Sequence, residues 1–167
     1  MISAPAELYL DLLKKCLTRH VFEDGALDQN SGELLPFDAT LRAEGKDWPA
    51  AAETMVGLRR LDNVQECVID VVRQGVPGDL VETGVWRGGV AILMRGALKA
   101  LQVTDRVVWA ADSFQGLPKP DPEHYPADAG DPHWTFPQLV ASLDEVKANF
   151  ERYGLLDENV RFLRGWF

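Results

Sequence analysis

Cysteine is nearly missing from this chain. Cys16 and Cys67 are the only two, with no CxxC pair and no metal-ligand spacing, which excludes a disulfide framework and a zinc module. A reduced, cytoplasmic setting is the expectation. Long apolar runs are lacking too: no stretch approaches the roughly 18 residues of a membrane span. The opening MISAPAELYLDLL carries acids where a secretory leader has a basic region before an unbroken apolar one. We therefore expect neither secretion nor membrane insertion. Positive charge is scarce, 17 Lys and Arg against 26 Asp and Glu, for a net charge of −9 and a pI near 4.8. A nucleic-acid backbone is repelled by such a chain unless one face is basic, and the densest basic pair, Arg59-Arg60, reads as solvated helix surface. There are three histidines. His20 ends a helical pattern and reads as a capping charge. His124 and His133 share a Pro- and Asp-rich loop with Asp121, Asp128 and Asp131, at spacings that fit no compact metal-ligand set.

What is there suits one domain with a real core: 167 residues, 46% hydrophobic. Leu8, Leu12, Leu13 and Leu17 recur at helical spacing between Ala6 and His20. Residues 22–49 are dense in Gly, Asp and Pro and read as loop with at most a turn or two of helix. After Pro49, Met55, Leu58, Leu61, Val64, Val68, Val71 and Val72 form a second helical stripe, stopped at Gly75 and Pro77-Gly78. Leu80 and Val81 begin a strand, GVAILMRGALKALQ is an apolar helix, and RVVWAAD reads as a strand buried on both faces, with Trp109 in the core. A Pro-, Asp- and Gly-rich loop follows Asp112, then a helix from Gln138 to Tyr153 closed by Gly154, then the strand NVRFLRG. The order is βαβαβ, half of a doubly wound parallel sheet. Three parallel strands alone leave a naked edge and an uncovered face, from which we expect a segment of a larger chain.

Between the first strand and its helix lies GDLVETGVWRGG, Gly78 to Gly89. In an open α/β sheet, ligands bind where strand ends meet helix N-termini, and Gly84, Gly88 and Gly89 allow a tight turn and close backbone approach. The glycines run G-x-x-x-G-G, unlike the dinucleotide fingerprint G-x-G-x-x-G. Glu82 just before the turn suits a cation better than a diphosphate. The sulfonium and ammonium of S-adenosylmethionine are such cations. Asp112, at the next strand end, stands where nucleoside-binding sheets place a ribose acceptor, a feature that NAD would share.

ETGVWRGG and DSFQGLP, preceded by ETMVGLRRLDNVQ and followed by FERYGLLDENVRFLRGWF, resemble the macrocin O-methyltransferase (TylF-type) family from about Glu53 to Phe167. The resemblance implies a class I, Rossmann-like methyltransferase: an α/β fold with a parallel sheet flanked by helices, here the N-terminal half of the usual seven strands. It also implies S-adenosylmethionine as methyl donor, magnesium to activate the acceptor, and a sugar hydroxyl of a macrolide-like or other secondary metabolite as acceptor. On that basis residues 1–52 are a helical and loop extension and 53–167 the cofactor domain. Glu82, Thr83 and Gly84 would line the methionine end; Trp86, Arg87, Gly88 and Gly89 would shape the turn. Asp112 would take the ribose with Ser113 beside it, Gly165 and Trp166 would border the adenine, and Met55, from the preceding helix, would cover the cofactor. The family's metal-binding aspartates and general base are expected downstream of residue 167, so no catalytic or metal residue is assigned here. The loop after Asp112 is expected to cover the substrate, with Tyr125, Trp134 and Phe136 as apolar contacts, and a homo-oligomer is expected. A catalytically silent nucleoside-binding module and an NAD-dependent oxidoreductase remain the alternatives.

Overall fold

The structure, a computed structural model, describes residues 2–166. Ser3 opens helix α1 (Ala4–Leu17): its hydroxyl accepts from the Ala6 N–H, and Pro5 occupies the first turn, where an N–H would lack a partner anyway. The helix turns Leu10, Leu13 and Leu17 into the core. Leu8 and Leu12, expected on the apolar stripe, are instead 72% and 54% exposed, because the packed row begins at Leu10. The helix also ends before His20. That imidazole pairs with the Thr18 hydroxyl at 2.9 Å, its ring edge meets Phe37, and burial pushes its pKa down, so it is not the charged cap the sequence suggests.

The segment read as loop contains a short antiparallel pair, β1 (Ala26–Leu27) with β2 (Leu34–Leu35), and a six-residue helix, α2 (Ala39–Glu44). Asp38 caps α2 by accepting from the Thr40 and Leu41 N–H groups at 2.8 and 2.9 Å. Arg42, 1% exposed, fastens this region: Nε donates to Asp47 at 2.7 Å, and the two terminal nitrogens donate to the carbonyls of Thr18, Asp24 and Gly25.

Helix α3 spans Gly57–Arg73. It starts after Met55, where Gly57 at φ 76° passes so close to Gly45 that a Cβ would lie 2.4 Å from the Gly45 nitrogen. Met55 therefore belongs to the irregular segment ahead of the helix, which corrects its expected place.

Strands β3 (Leu80–Thr83), β4 (Val108–Asp112) and β5 (Val160–Arg164) form a parallel sheet in that order, with Leu80, Val108 and Val160 in register. Helix α4 (Gly89–Ala100) joins β3 to β4, and α5 (Leu143–Arg152) precedes β5. Two crossovers advancing the same way put both helices on one face. There Val108, Ala110 and Val160 pack with Ile92, Val146 and Phe150, and α1 and α3 pack on α4. Leu10, Leu13 and Leu17 join this same core.

The other sheet face is open: Val81 is 60% and Leu163 50% exposed. Trp109 lies on that face, half-buried, its indole N–H donating to Asp79 at 2.9 Å. The expectation that RVVWAAD is buried on both sides, with Trp109 in the core, is thus corrected: no helix covers that face among the described residues. Helix α5 also begins later than expected. Ser142 caps it, accepting from the Glu145 N–H at 3.1 Å, while Pro137–Leu139 form a single 3-10 turn. No helix is long and apolar enough to cross a membrane among the described residues.

Candidate functional site: a crevice at the glycine turn

Past Thr83 the chain turns through Gly84 (φ 81°), Trp86 (φ 48°) and Gly88 (φ 92°) into α4. These glycines serve different ends. Among the described residues nothing lies within 4 Å of where a Cβ on Gly84 would stand, so they leave its backbone bare to the crevice. At Gly89 a Cβ would sit 2.7 Å from both the Glu53 carbonyl oxygen and Thr54 Cβ, and at Gly88 it would meet Val146 of α5 at 3.0 Å. Gly88 and Gly89, expected beside a ligand, are therefore taken up by close packing of the protein on itself.

Two adjoining cavities open at the strand ends, about 210 and 200 Å³, sharing Gly84, Asp112, Gly116 and Leu117. Met55, Trp86, Leu139 and Ala141 line the first; Ser113, Pro118 and Trp166 line the second. Together they reach the size of small-molecule sites, which begin at about 300 Å³. The structure thus brings Met55, Gly84, Trp86, Asp112, Ser113 and Trp166 to one crevice. Gly116, Leu117, Leu139 and Ala141 went unsignalled: the first two sit in a Pro-rich loop, the others in a stretch whose pattern reads as helix.

Glu82 is directed elsewhere. Its carboxylate accepts from the Ala91 N–H at 2.9 Å, capping α4, whose own N-cap residue Gly88 has no side chain to do so. It borders a separate groove with Val64, Val68, Val81 and Met94 rather than the crevice, against the expectation of a methionine-lining acid. Burial, helped by the Asp112 charge, pushes its pKa up to about 8 from 4.5, against the pull of the Ala91 N–H. A carboxyl whose folded pKa exceeds its unfolded one favours the fold most below the unfolded value. Its contribution is lost as pH rises between those two values. Glu82→Gln keeps an acceptor for Ala91 without the charge. Since the groove admits some water, we expect a gain of about 1–2 kcal/mol over the parent at pH 9 and none at pH 4. Urea unfolding at the two pH values checks this; equal curves at pH 9 would refute it.

Asp112 works as a staple. Oδ2 accepts from the Val85 N–H at 2.6 Å and the Trp86 N–H at 3.4 Å, and Oδ1 accepts from the Phe114 N–H at 2.7 Å. The carboxylate still faces the crevice, with lone pairs left for a further donor. Ser113 is buried and donates its hydroxyl to the Gly116 carbonyl at 3.0 Å. Thr83 points to the open sheet face, outside the crevice, alongside Val81 and Leu163. Arg87 binds protein: a terminal nitrogen donates to the carbonyls of Ala50 and Ala52, and the guanidinium stacks 4.4 Å over the Trp86 ring. The Gly165 N–H donates to the Asp112 carbonyl at 2.9 Å, which sets the exposed Trp166 at the crevice mouth.

Tyr125 and Trp134 are exposed on the long loop away from the crevice lining, while Phe136 meets Trp48 edge-on. Among the described residues no three His, Cys, Asp or Glu side chains gather where they could hold a metal ion. The described residues therefore offer magnesium no fitting donor set. Such an arrangement can bind and orient an elongated, partly apolar ligand against bare backbone at Gly84.

Known proteins are similar to this chain in sequence and in fold. The chain is 51% identical over 167 residues to demethyldecarbamoylnovobiocin O-methyltransferase of Streptomyces niveus, covering 99% of this chain and 64% of that one. It is 52% identical over 162 residues to 8-demethyl-8-(2,3-dimethoxy-alpha-L-rhamnosyl)-tetracenomycin-C 4'-O-methyltransferase of Streptomyces olivaceus, covering 96% and 62%. The solved structure of the O-methyltransferase NovP superposes with a TM-score of 0.83 at 48% identity, over 96% of this chain and 64% of that one. The chain thus spans under two thirds of the length of these relatives. A family described as macrocin-O-methyltransferase (TylF) matches residues 6–167, and with half its residues identical to those relatives the chain belongs to that family.

Proposed function

We propose that this chain forms the cofactor-binding part of an S-adenosylmethionine-dependent O-methyltransferase acting on a sugar hydroxyl of a small secondary metabolite. The observation that carries the reading is the bare Gly84 backbone, facing a crevice with Asp112 at one side and Met55, Trp86, Leu117 and Leu139 around it. S-adenosylmethionine supplies, when bound, a methyl group already activated on a positive sulfur. The chain's own part is to position and to exclude water. Gly84 lets a ligand lie against the main chain, the remaining lone pairs of Asp112 accept from ligand hydroxyls, and the apolar walls shed solvent. A net charge of −9 favours a cationic ligand. The sugar acceptor rests on the rhamnosyl group in one relative's name. The same reading carries a cytoplasmic setting, in keeping with two free cysteines, and self-association, in keeping with exposed Leu8 and Leu12.

Calorimetric titration tests the cofactor reading. S-adenosylhomocysteine is expected to bind and NAD is not, while Met55→Trp, which fills the crevice, should weaken binding about 10-fold or more, at least 1.4 kcal/mol. A folded chain that gives no heat with S-adenosylhomocysteine overturns the proposal.

A further inference from the structure

Trp86 holds a left-handed backbone, φ 48°, which bulky side chains rarely adopt. Such an outlier persists where its surroundings enforce it, and outliers of this kind gather at ligand clamps. Three contacts enforce it here. Asp112 takes the Val85 and Trp86 N–H groups from below, the Arg87 guanidinium covers the ring, and the indole Nε1–H donates to the Gln138 carbonyl at 2.9 Å.

The last contact spans 52 residues of chain. Residues 117–135 are exposed apart from Pro120, so this long stretch has almost no buried anchor of its own. Leu139 and Ala141, which follow it, form the far wall of the crevice. Ala141 is buried in the core and Val140 packs on Gly116, while the polar tie from this stretch to the glycine turn is the indole bond, with the edge contact of Phe136 on Trp48 next to it. Trp86 also stands between the crevice and a smaller cavity behind it, with Met55 and Leu139 lining both.

We propose that Trp86 is a positioning residue whose indole N–H latches residues 136–141 to the glycine turn, so that Leu139 and Ala141 close the crevice. The ligand consequence rests on the cofactor reading above; the latch itself does not. In wild type, an intact latch keeps the 117–135 loop short of slack at both ends and protects the indole N–H from exchange with water.

The experiment compares the wild-type chain, Trp86→Phe and Gln138→Ala without ligand. Glutamyl endopeptidase cleavage after Glu123 and chymotryptic cleavage after Trp134 are timed, and exchange of the indole N–H is followed by NMR in the tryptophan-containing chains. Losing one neutral hydrogen bond should speed cleavage of Trp86→Phe roughly 2- to 10-fold. Gln138→Ala keeps the accepting carbonyl and should match wild type. Replacing Trp86 by the isosteric β-(3-benzothienyl)alanine, which lacks only the N–H, should repeat the Phe result even if the Phe variant folds poorly. Unchanged cleavage in the isostere, a Gln138→Ala chain cleaved as fast as it, or rapid indole exchange in wild type would each overturn the latch. S-adenosylhomocysteine is then added: tighter closure predicts slower wild-type cleavage and weaker binding by the isostere. Failure of the wild type to bind overturns the cofactor reading instead, and the ligand-free comparison still decides the latch.

Discussion

Arg42→Met will destabilise the chain by about 3–5 kcal/mol, the cost of leaving a buried charge without its partner. The Asp47 side chain beside Arg42 is itself almost fully buried, one of its oxygens has no partner among the described residues, and three main-chain carbonyls lose their donor with the guanidinium. Those carbonyls belong to Thr18, Asp24 and Gly25, so the loss frees the end of α1 from the hairpin and from α2 together. A denaturant series gives the magnitude. The double variant Arg42→Met with Asp47→Leu removes both charges and should recover a large share of the loss, because apolar replacement of a whole buried pair is often close to neutral. Recovery of nothing in the double variant would mean that the carbonyl contacts, not the ion pair, carry the energy.

Gly89→Ala will destabilise by about 2–3 kcal/mol and abolish ligand binding, although alanine is intrinsically the better helix former by about 1 kcal/mol. The conflict is decided by what the added methyl meets. A Cβ 2.7 Å from the Glu53 carbonyl oxygen cannot be accommodated by a side-chain adjustment, since the nearest atoms are main chain and Thr54 Cβ. The same carbonyl accepts the Gly89 N–H at 2.9 Å, so relieving the clash lengthens that hydrogen bond. Segment 50–55 then moves away from α4 and takes Met55 out of the crevice wall. Thermal unfolding with and without S-adenosylhomocysteine separates the two effects. A variant as stable as its parent would show that this seam is softer than its packing indicates.

Some of this architecture is legible in the residues and some is not, for physical reasons. The strand–helix–strand order could be read because continuous apolar runs and 3.6-residue stripes are local signals, strong in Val108–Asp112 and in α4. The two-residue strands β1 and β2 could not, since nothing local stabilises so short a pair and a buried arginine from another element secures them. Arg42 itself looks like any helix-surface cation, the carbonyls it serves lying 17 to 24 residues away. At the crevice, Gly84 and Asp112 were found from their place at strand ends. Their roles were only half visible, because the sequence does not say whether an acid faces a ligand or the backbone of its own turn. Glu82 and Asp112 both turned out to accept from main-chain N–H groups, and Gly88 and Gly89 to admit protein rather than ligand. Leu139 and Ala141 were hidden for another reason: a Ser142 cap moved the start of α5 past them.

The uncovered sheet face governs how the chain behaves as a colloid. Val81 on β3 and Leu163 on β5 present apolar surface, and among the described residues no strand pairs with the outer edge of either. At neutral pH the excess of nine negative charges holds copies apart. Toward the isoelectric point near 4.8 that repulsion vanishes while the sticky surface stays. Light scattering as the pH is lowered toward 4.8 is expected to show copies associating through this face.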